Sequence, residues 1–360
     1  MEFLDKVAKD LEKNGFSVGS STPPTYWITT GNYVLNKIIS GSFVKGLPQG
    51  RMVSFAGPSQ SGKSFLLCNA MREAQKAGCL VVAIDTENAL DEDFVSNIGV
   101  NTDPSIYKYV EADTIPETKN IVSKVIKGYK AEFGEDNPDA PKIFIGIDSL
   151  DMLMTETEET NFEKGISKGD QGQRNKQLKQ MLREFVQSIK HLNITIATTS
   201  QVYRNQEITN GEGLWMISDA TRYAPSQIVL ITKLKLKEGI EVSGIKMKCE
   251  GYKTRFTKPF QTVTLEVPYE TGMDPYNGLS DVAINMGVVE KRGTWKYFGE
   301  YKWNSSEVPS KYAEMVLKEC EKKREQFLIA KIENSELDLS EGPNSKTKRR
   351  NKVSAKSTNG

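Results

Sequence analysis

The sequence predicts an α/β fold with a mainly parallel central sheet flanked by helices. Three observations carry this: apolar runs alternate with helix-spaced segments from Arg51 onward, those runs are continuous rather than alternating, and one is followed by a glycine-rich turn opening a helix. In order, the strands are Met52 to Ala56, Leu80 to Asp85 and Ile143 to Asp148, with helical patterns over Lys63 to Lys76 and Ile121 to Phe133 between them. Strands buried on both faces read this way. A long helical stretch, Gln171 to His191, precedes Ile194 to Thr199, Ile228 to Lys235, Ile245 to Glu250 and Thr262 to Val267; this strand-rich second half is expected to include antiparallel members. Ahead of the sheet, Leu4, Val7, Ala8 and Leu11 recur at helical spacing before Gly15, Gly19, Pro23 and Pro24 break the pattern. That short helix leans either on its own domain or on a neighbouring subunit. Beyond Ser335, Lys346, Lys348, Arg349, Arg350, Lys352 and Lys356 form a basic stretch expected to be disordered.

Composition narrows the chemistry. With 360 residues, 38% apolar, the chain can bury one large core. No apolar run is long enough to span a membrane, and Met1 to Lys9 is too charged to lead a signal peptide, so the cytoplasm is the expected compartment. The four cysteines lie far apart without a C-x-x-C pair and read as reduced thiols. The one histidine, His191, reads as structural, which excludes His-based triads and His-rich metal sites and leaves carboxylates, lysines and Mg²⁺ to carry a reaction. A net charge of +1 means that any nucleic acid must be held locally.

Gly57-Pro58-Ser59-Gln60-Ser61-Gly62-Lys63-Ser64 fits the phosphate-binding pattern G-x-x-x-x-G-K-[ST] between an apolar strand and a helix that continues through Phe65. The glycines let backbone N–H groups and the helix N-terminus face phosphates; Lys63 is placed for the β/γ oxygens and Ser64 for Mg²⁺. Asp148 closes a strand downstream, as a group orienting the Mg²⁺ shell or as a helix cap. Ala83-Ile84-Asp85-Thr86-Glu87-Asn88-Ala89-Leu90-Asp91 ends another strand on the same sheet edge, where Glu87 either orients a water attacking the γ-phosphate or starts the next helix.

Together with Ile28-Thr29-Thr30-Gly31 and Gly46-Leu47-Pro48-Gln49-Gly50-Arg51, these motifs resemble, in order, those of the RecA/UvsX family of filament-forming DNA recombinases, and most closely the UvsX proteins of T-even-like phages. The resemblance runs from about Trp27 to about Trp303. It implies a RecA-type P-loop NTPase core, Glu87 as the catalytic carboxylate, Asp91 on the adenine, Phe94 over the ring, and Gln201, ending Thr199-Ser200-Gln201, as a γ-phosphate sensor. Lys253 and Arg255 fall where the family reaches the ATP of the adjacent subunit; strand alternation would put both on one face, and a basic strand edge is the plainer reading. Two long polar stretches, Thr155 to Gln173 and Val202 to Tyr223, correspond to the family's DNA-binding loops. They offer Lys164, Lys168, Arg174, Arg204 and Arg222 for phosphates and Tyr203, Trp215 and Met216 for bases, although the first is acidic overall. The family's tails are acidic and this one is basic, which suits duplex DNA or an acidic partner.

The expected organisation is an N-terminal helix and linker over 1–26, a RecA-like core over 27–303, a helical segment over 304–335 and the basic tail over 336–360. The expected function is an ATP-, Mg²⁺- and single-stranded-DNA-dependent recombinase that forms a helical filament and pairs it with double-stranded DNA. A loader or mediator and a single-stranded-DNA-binding protein are the further implied partners, with no membrane. The alternatives are a RecA-fold ring motor or helicase and a non-catalytic mediator.

Overall fold

The computed structural model describes residues 2–14, 23–166, 172–209 and 214–340. Eight strands form the main sheet: β1 (Met52–Ala56), β2 (Cys79–Asp85), β3 (Tyr107–Glu111), β4 (Lys142–Asp148), β5 (Ile194–Ser200), β6 (Gln227–Glu238), β7 (Glu241–Lys253) and β8 (Thr262–Pro268). Their spatial order is β8-β7-β6-β1-β5-β4-β2-β3, with β6 through β3 parallel and the β7–β8 end antiparallel. The expected mainly parallel sheet with antiparallel strands in its second half is thus observed.

Alternation along each central strand builds two apolar layers. On one face Val53, Phe55, Phe144 and Ala197 pack with Leu66, Leu67 and Met71 of α3 (Lys63–Lys76, the third helix after α1, Glu2–Lys13, and α2, Tyr33–Ser40). On the other, Met52, Ile145, Ile147 and Ile196 pack with Val122 and Ile126 of α5 (Ile115–Phe133) and Leu178, Met181 and Leu182 of α7 (Gln173–Ser188). Between these helices lie α4 (Glu92–Asn97) and α6 (Glu156–Glu163). Helices on both faces explain why the strands read as continuous apolar runs.

The structure adds elements that the apolar pattern did not predict. β3 is an edge strand whose Lys108 and Tyr109 face solvent, so its run of Tyr107 to Glu111 lacks a buried signature. α6 lies within the first expected loop, started by a capping box in which Thr155 accepts from the Glu158 N–H and Glu158 reaches back to Thr155. In the second expected loop, Val202–Arg204 pairs with Trp215–Ile217 as a small hairpin, followed by α8 (Asp219–Arg222). After α9 (Leu279–Asn285), a three-stranded sheet and α10 (Ser310–Ser340) close the described chain. α10 runs past residue 335, and the rest of the expected tail, 341–360, lies outside the described residues. The stripe of α1 stays open, with Phe3, Leu4, Val7 and Leu11 exposed. No helix among the described residues is long and apolar enough to cross a membrane.

Candidate active site

The glycine-rich turn from Gly57 to Ser64 joins the C-terminal end of β1 to α3. It is tied to the neighbouring strand end by the Gly57 N–H, which donates to the Ser200 carbonyl at 3.1 Å. Both glycines are required by their surroundings. A Cβ at Gly57 would lie 2.5 Å from the Ile231 carbonyl oxygen, and Gly62 has φ +95° with Met247 Sδ 2.5 Å from where its Cβ would sit. Gly62 occupies the N-cap position of α3 and offers no side-chain cap, so the first N–H groups of the helix are left for an anion. Within the turn, Gln60 takes a left-handed conformation (φ 57°), and the buried Ser61 hydroxyl has no hydrogen-bond partner among the described residues. Phe65 packs half-buried against the core.

Lys63 is buried, and its ammonium donates to the Pro58 carbonyl at 3.0 Å. Burial pushes its pKa down from the usual lysine range, while Glu87, Asp148 and Asp151 pull it back up. The field of three carboxylates therefore favours the ammonium form of Lys63 against its burial.

Asp148 ends β4 directly opposite Asp85 at the end of β2. It is almost fully buried, receives the Thr199 hydroxyl, and its second carboxylate oxygen has no partner among the described residues; the Ser64 hydroxyl lies near enough to favour its charged form. Burial raises its pKa; the two hydroxyls oppose that rise and the acids Glu87 and Asp85 add to it. A buried, half-satisfied carboxylate beside a P-loop serine is a fitting donor set for a hard divalent cation.

Glu87 is exposed and placed by its neighbours. Its backbone N–H donates to Asp85 Oδ1 at 3.1 Å, and its carboxylate accepts from the Ser149 hydroxyl. Thr86 locks the same junction from both sides: its hydroxyl donates to the Ser149 carbonyl at 2.6 Å and accepts from the Ser149 N–H at 2.8 Å. Asp85, buried beneath, also accepts from the N–H groups of Ala89 (3.2 Å) and Leu90 (2.9 Å) and from the Tyr109 hydroxyl (3.2 Å). Asp85 is thus the anchor of the loop that carries Glu87.

Sequence reasoning missed Asp151. Its carboxylate accepts from the Gln201 N–H, which ties the end of β5 to the segment after β4; burial raises its pKa, partly offset by that bond, Arg174 and Lys63. No motif contains it, and only the adjacency of β4 and β5 could have pointed to it. Gln201 therefore follows a strand end next to Asp148, with its backbone held.

Other expected residues are placed differently. Asp91 N-caps α4, accepting from the Phe94 N–H at 2.8 Å, and lines a cavity of about 560 Å³ with Leu90, Pro104, Tyr107 and Tyr109; Phe94 packs half-buried on the core and is not among the residues lining it. Lys253 is the last residue of β7, while Arg255 falls in the bend beyond, so the two do not alternate along one strand as the spacing suggested. β7 runs antiparallel to β6, and Ile228 opposite Lys253 pairs with Ser54; the chain therefore leaves the sheet at the end opposite the phosphate turn. The Lys253 ammonium donates to the carbonyls of Arg222 (3.0 Å) and Tyr223 (2.8 Å), and burial, with Arg255 and Arg222 nearby, lowers its pKa to about 8.

In the loops, Tyr203 and Met216 sit opposite each other on the hairpin, both exposed, with Arg204 opposite the half-buried Trp215. Arg222 is half-buried, paired with Asp219 at 2.6 Å and stacked on Tyr223. Lys164 is exposed at the end of α6, whereas Lys168 lies outside the described residues. Arg174 points inward: its guanidinium donates to the carbonyls of Leu153 (2.8 Å), Leu150 (3.2 Å) and Asp151, clamping the segment after β4 rather than presenting its charge to a phosphate.

The chain is similar to known proteins over most of its length. The RecA N-terminal domain family matches residues 17–274. The chain is 27% identical to protein RecA of Desulforapulum autotrophicum over 281 residues, covering 76% of this chain and 74% of that protein. Protein RecA of Acholeplasma laidlawii is 28% identical over 301 residues (80% and 84%). A mitochondrial DNA repair protein recA homolog of Dictyostelium discoideum is 24% identical over 351 residues (93% and 70%). With a RecA-domain match over most of its length laid on a phosphate turn flanked by Asp148 and Glu87, the chain belongs to the RecA family.

Proposed function

We propose that the chain is a Mg²⁺-dependent, DNA-stimulated ATPase that assembles into a helical filament on single-stranded DNA, pairs it with homologous duplex and exchanges strands. One observation carries the nucleotide half: the buried Asp148 carboxylate keeps an unpartnered oxygen beside Ser64 and within the field of Lys63. Family membership, with relatives that include a DNA repair protein, supports the recombination half.

The roles follow from placement. The N–H groups of Gly57 to Ser64 and the Lys63 ammonium would hold the phosphates. Ser64 and Asp148 would hold Mg²⁺, which supplies charge neutralisation at the phosphate oxygens when bound. Glu87, its loop anchored by Asp85, orients and deprotonates the attacking water, and Gln201 reads the terminal phosphate. Lys253 and Arg255 leave the sheet on the side away from this chain's own turn, as a head-to-tail neighbour's site would require. Tyr203 and Met216 offer the exposed face on which bases would stack, with Arg204 and Arg222 for phosphates. Within the family we read the chain as a UvsX-like recombinase, from its sequence motifs alone, and a loader and a single-stranded-DNA-binding protein are the accessory partners that this reading implies.

The test is ATP hydrolysis with and without single-stranded DNA, with Lys63→Ala as control, alongside microscopy. DNA-stimulated turnover and filaments are expected. Turnover indifferent to DNA would end the recombinase reading and leave the ATPase; closed rings would favour a motor.

A further inference from the structure

The β6–β7 hairpin passes beside the phosphate turn and brings a charge that the family motifs do not include. β6 is paired to β1 only as far as Leu230 opposite Ala56, and residues 231–238 continue beyond the end of β1, where the turn sits. Two contacts show how closely the turn lies on this hairpin: Gly57 abuts the Ile231 carbonyl, and Gly62 abuts Met247. Met247 is the cross-strand partner of Lys233, so the two side chains share a face, and Lys233 follows Ile231 by one strand repeat on that same face. The Lys233 ammonium accordingly reaches the turn and donates to Gln60 Oε1 at 3.3 Å.

Lys233 forms no salt bridge among the described residues. The Lys63 ammonium rests on Pro58 and that of Lys233 on Gln60, so two cations flank one turn. Without an anion this arrangement is repulsive. Gln60 is a weak, neutral partner for an ammonium, and it is the non-glycine residue of the turn held in a left-handed conformation, with its backbone N–H in the stretch that would face phosphate.

We propose that Lys233 is a second same-chain cation for the terminal phosphate of a bound nucleoside triphosphate, held on Gln60 until the anion arrives; this rests on the turn binding nucleotide as proposed above. Lys233 then contributes to discrimination between triphosphate and diphosphate, because the outer phosphate is the one a cation at the rim of the turn can reach.

The experiment measures equilibrium binding of a fluorescent non-hydrolysable ATP analogue and of fluorescent ADP to the full chain without DNA. Lys233→Gln is expected to weaken the triphosphate by about 5- to 10-fold and ADP by less than about 2-fold, the range for losing one partly exposed charge-assisted contact. Lys233→Arg should retain the preference, and Lys235→Gln, removing an equal charge further along the strand, should leave both affinities unchanged. Raising salt toward 1 M should narrow the Lys233→Gln difference. Unchanged affinities in Lys233→Gln, equal weakening of both nucleotides, or the same loss in Lys235→Gln would overturn the assignment. If Lys63→Ala loses nucleotide while Lys233→Gln does not, Lys233 alone is refuted; a wild-type chain that retains no nucleotide refutes the phosphate turn itself.

Discussion

Replacing Asp85 by asparagine tests how the Glu87 loop is held. The Asp85 carboxylate accepts four bonds: Oδ1 from the N–H groups of Glu87 and Ala89, and Oδ2 from the Leu90 N–H and the Tyr109 hydroxyl. Asparagine keeps one oxygen and turns the other position into a donor. Oriented with its oxygen toward Glu87 and Ala89, its amide NH₂ faces the Leu90 N–H, two donors without an acceptor in a buried position; the Tyr109 hydroxyl can reverse and accept. Losing one bond to a charged group and burying an unsatisfied N–H costs about 2–4 kcal/mol. Urea denaturation should show that loss in the absence of nucleotide. Because the same N–H bonds fix the backbone at Glu87, turnover should fall about 10- to 100-fold, as expected when a catalytic group is misplaced by about an ångström. Nucleotide affinity should change little, since Asp85 touches no residue of the phosphate turn. Tyr109→Phe, which removes the hydroxyl's contacts with Asp85 and with the exposed Glu111 but keeps all three N–H bonds to Asp85, should lose less than about 1.5 kcal/mol and keep most of the turnover. A folded Asp85→Asn protein with wild-type turnover would refute the positioning argument.

Further outcomes follow from the same geometry. Glu87→Gln should retain ATP binding and lose hydrolysis by about 100-fold or more, measured by equilibrium binding beside steady-state turnover, because general-base catalysis supplies roughly that factor. Arg174→Ala should lose about 2–3 kcal/mol in denaturant unfolding because three part-buried carbonyls lose a charged donor. A purely phosphate-binding arginine would instead leave stability unchanged and reduce the salt slope of DNA binding by about 1. Lys253 has a folded pKa of about 8 against an ordinary 10.5, so the unfolded chain holds the proton more tightly and stability rises with pH across that window. Lys253→Met should flatten that part of the stability–pH profile. If Lys253 acts as a cation toward a neighbour's nucleotide, assembly followed by light scattering should decline as pH rises through about 8, and Lys253→Arg should move the decline upward.

The parts of this fold that were legible in the sequence share a cause. β1 and β5 are buried on both faces throughout, and β2 and β4 over their C-terminal ends, so their composition alone marks them, and the turn after β1 needs its glycines where a Cβ would meet Ile231 and Met247. β3 escaped because an edge strand exposes Lys108 and Tyr109 and so resembles a loop. α6 was masked by its acidic composition, although the Thr155 and Glu158 capping pair was present to be read. Asp151 and Arg174 act through tertiary neighbours: one meets Gln201 across two strand ends, the other closes on carbonyls from Leu150 to Leu153, and neither relation has a sequence spacing. Arg255 illustrates the limit of periodicity, which predicts a face only while the strand continues, and β7 stops at Lys253.

The position of β1 has a consequence for the making of the protein. Its two neighbours in the sheet are β5 and β6, so the strand that launches the phosphate turn can be completed only when Leu230 has been synthesised. At roughly 5–20 residues per second, the nascent chain waits on the order of ten seconds or longer after Ala56 is translated, with at least one edge of β1 unpaired throughout. Ribosome-bound chains truncated before β6 should therefore be recognised by chaperones and fail to retain ATP, and those released after it should not.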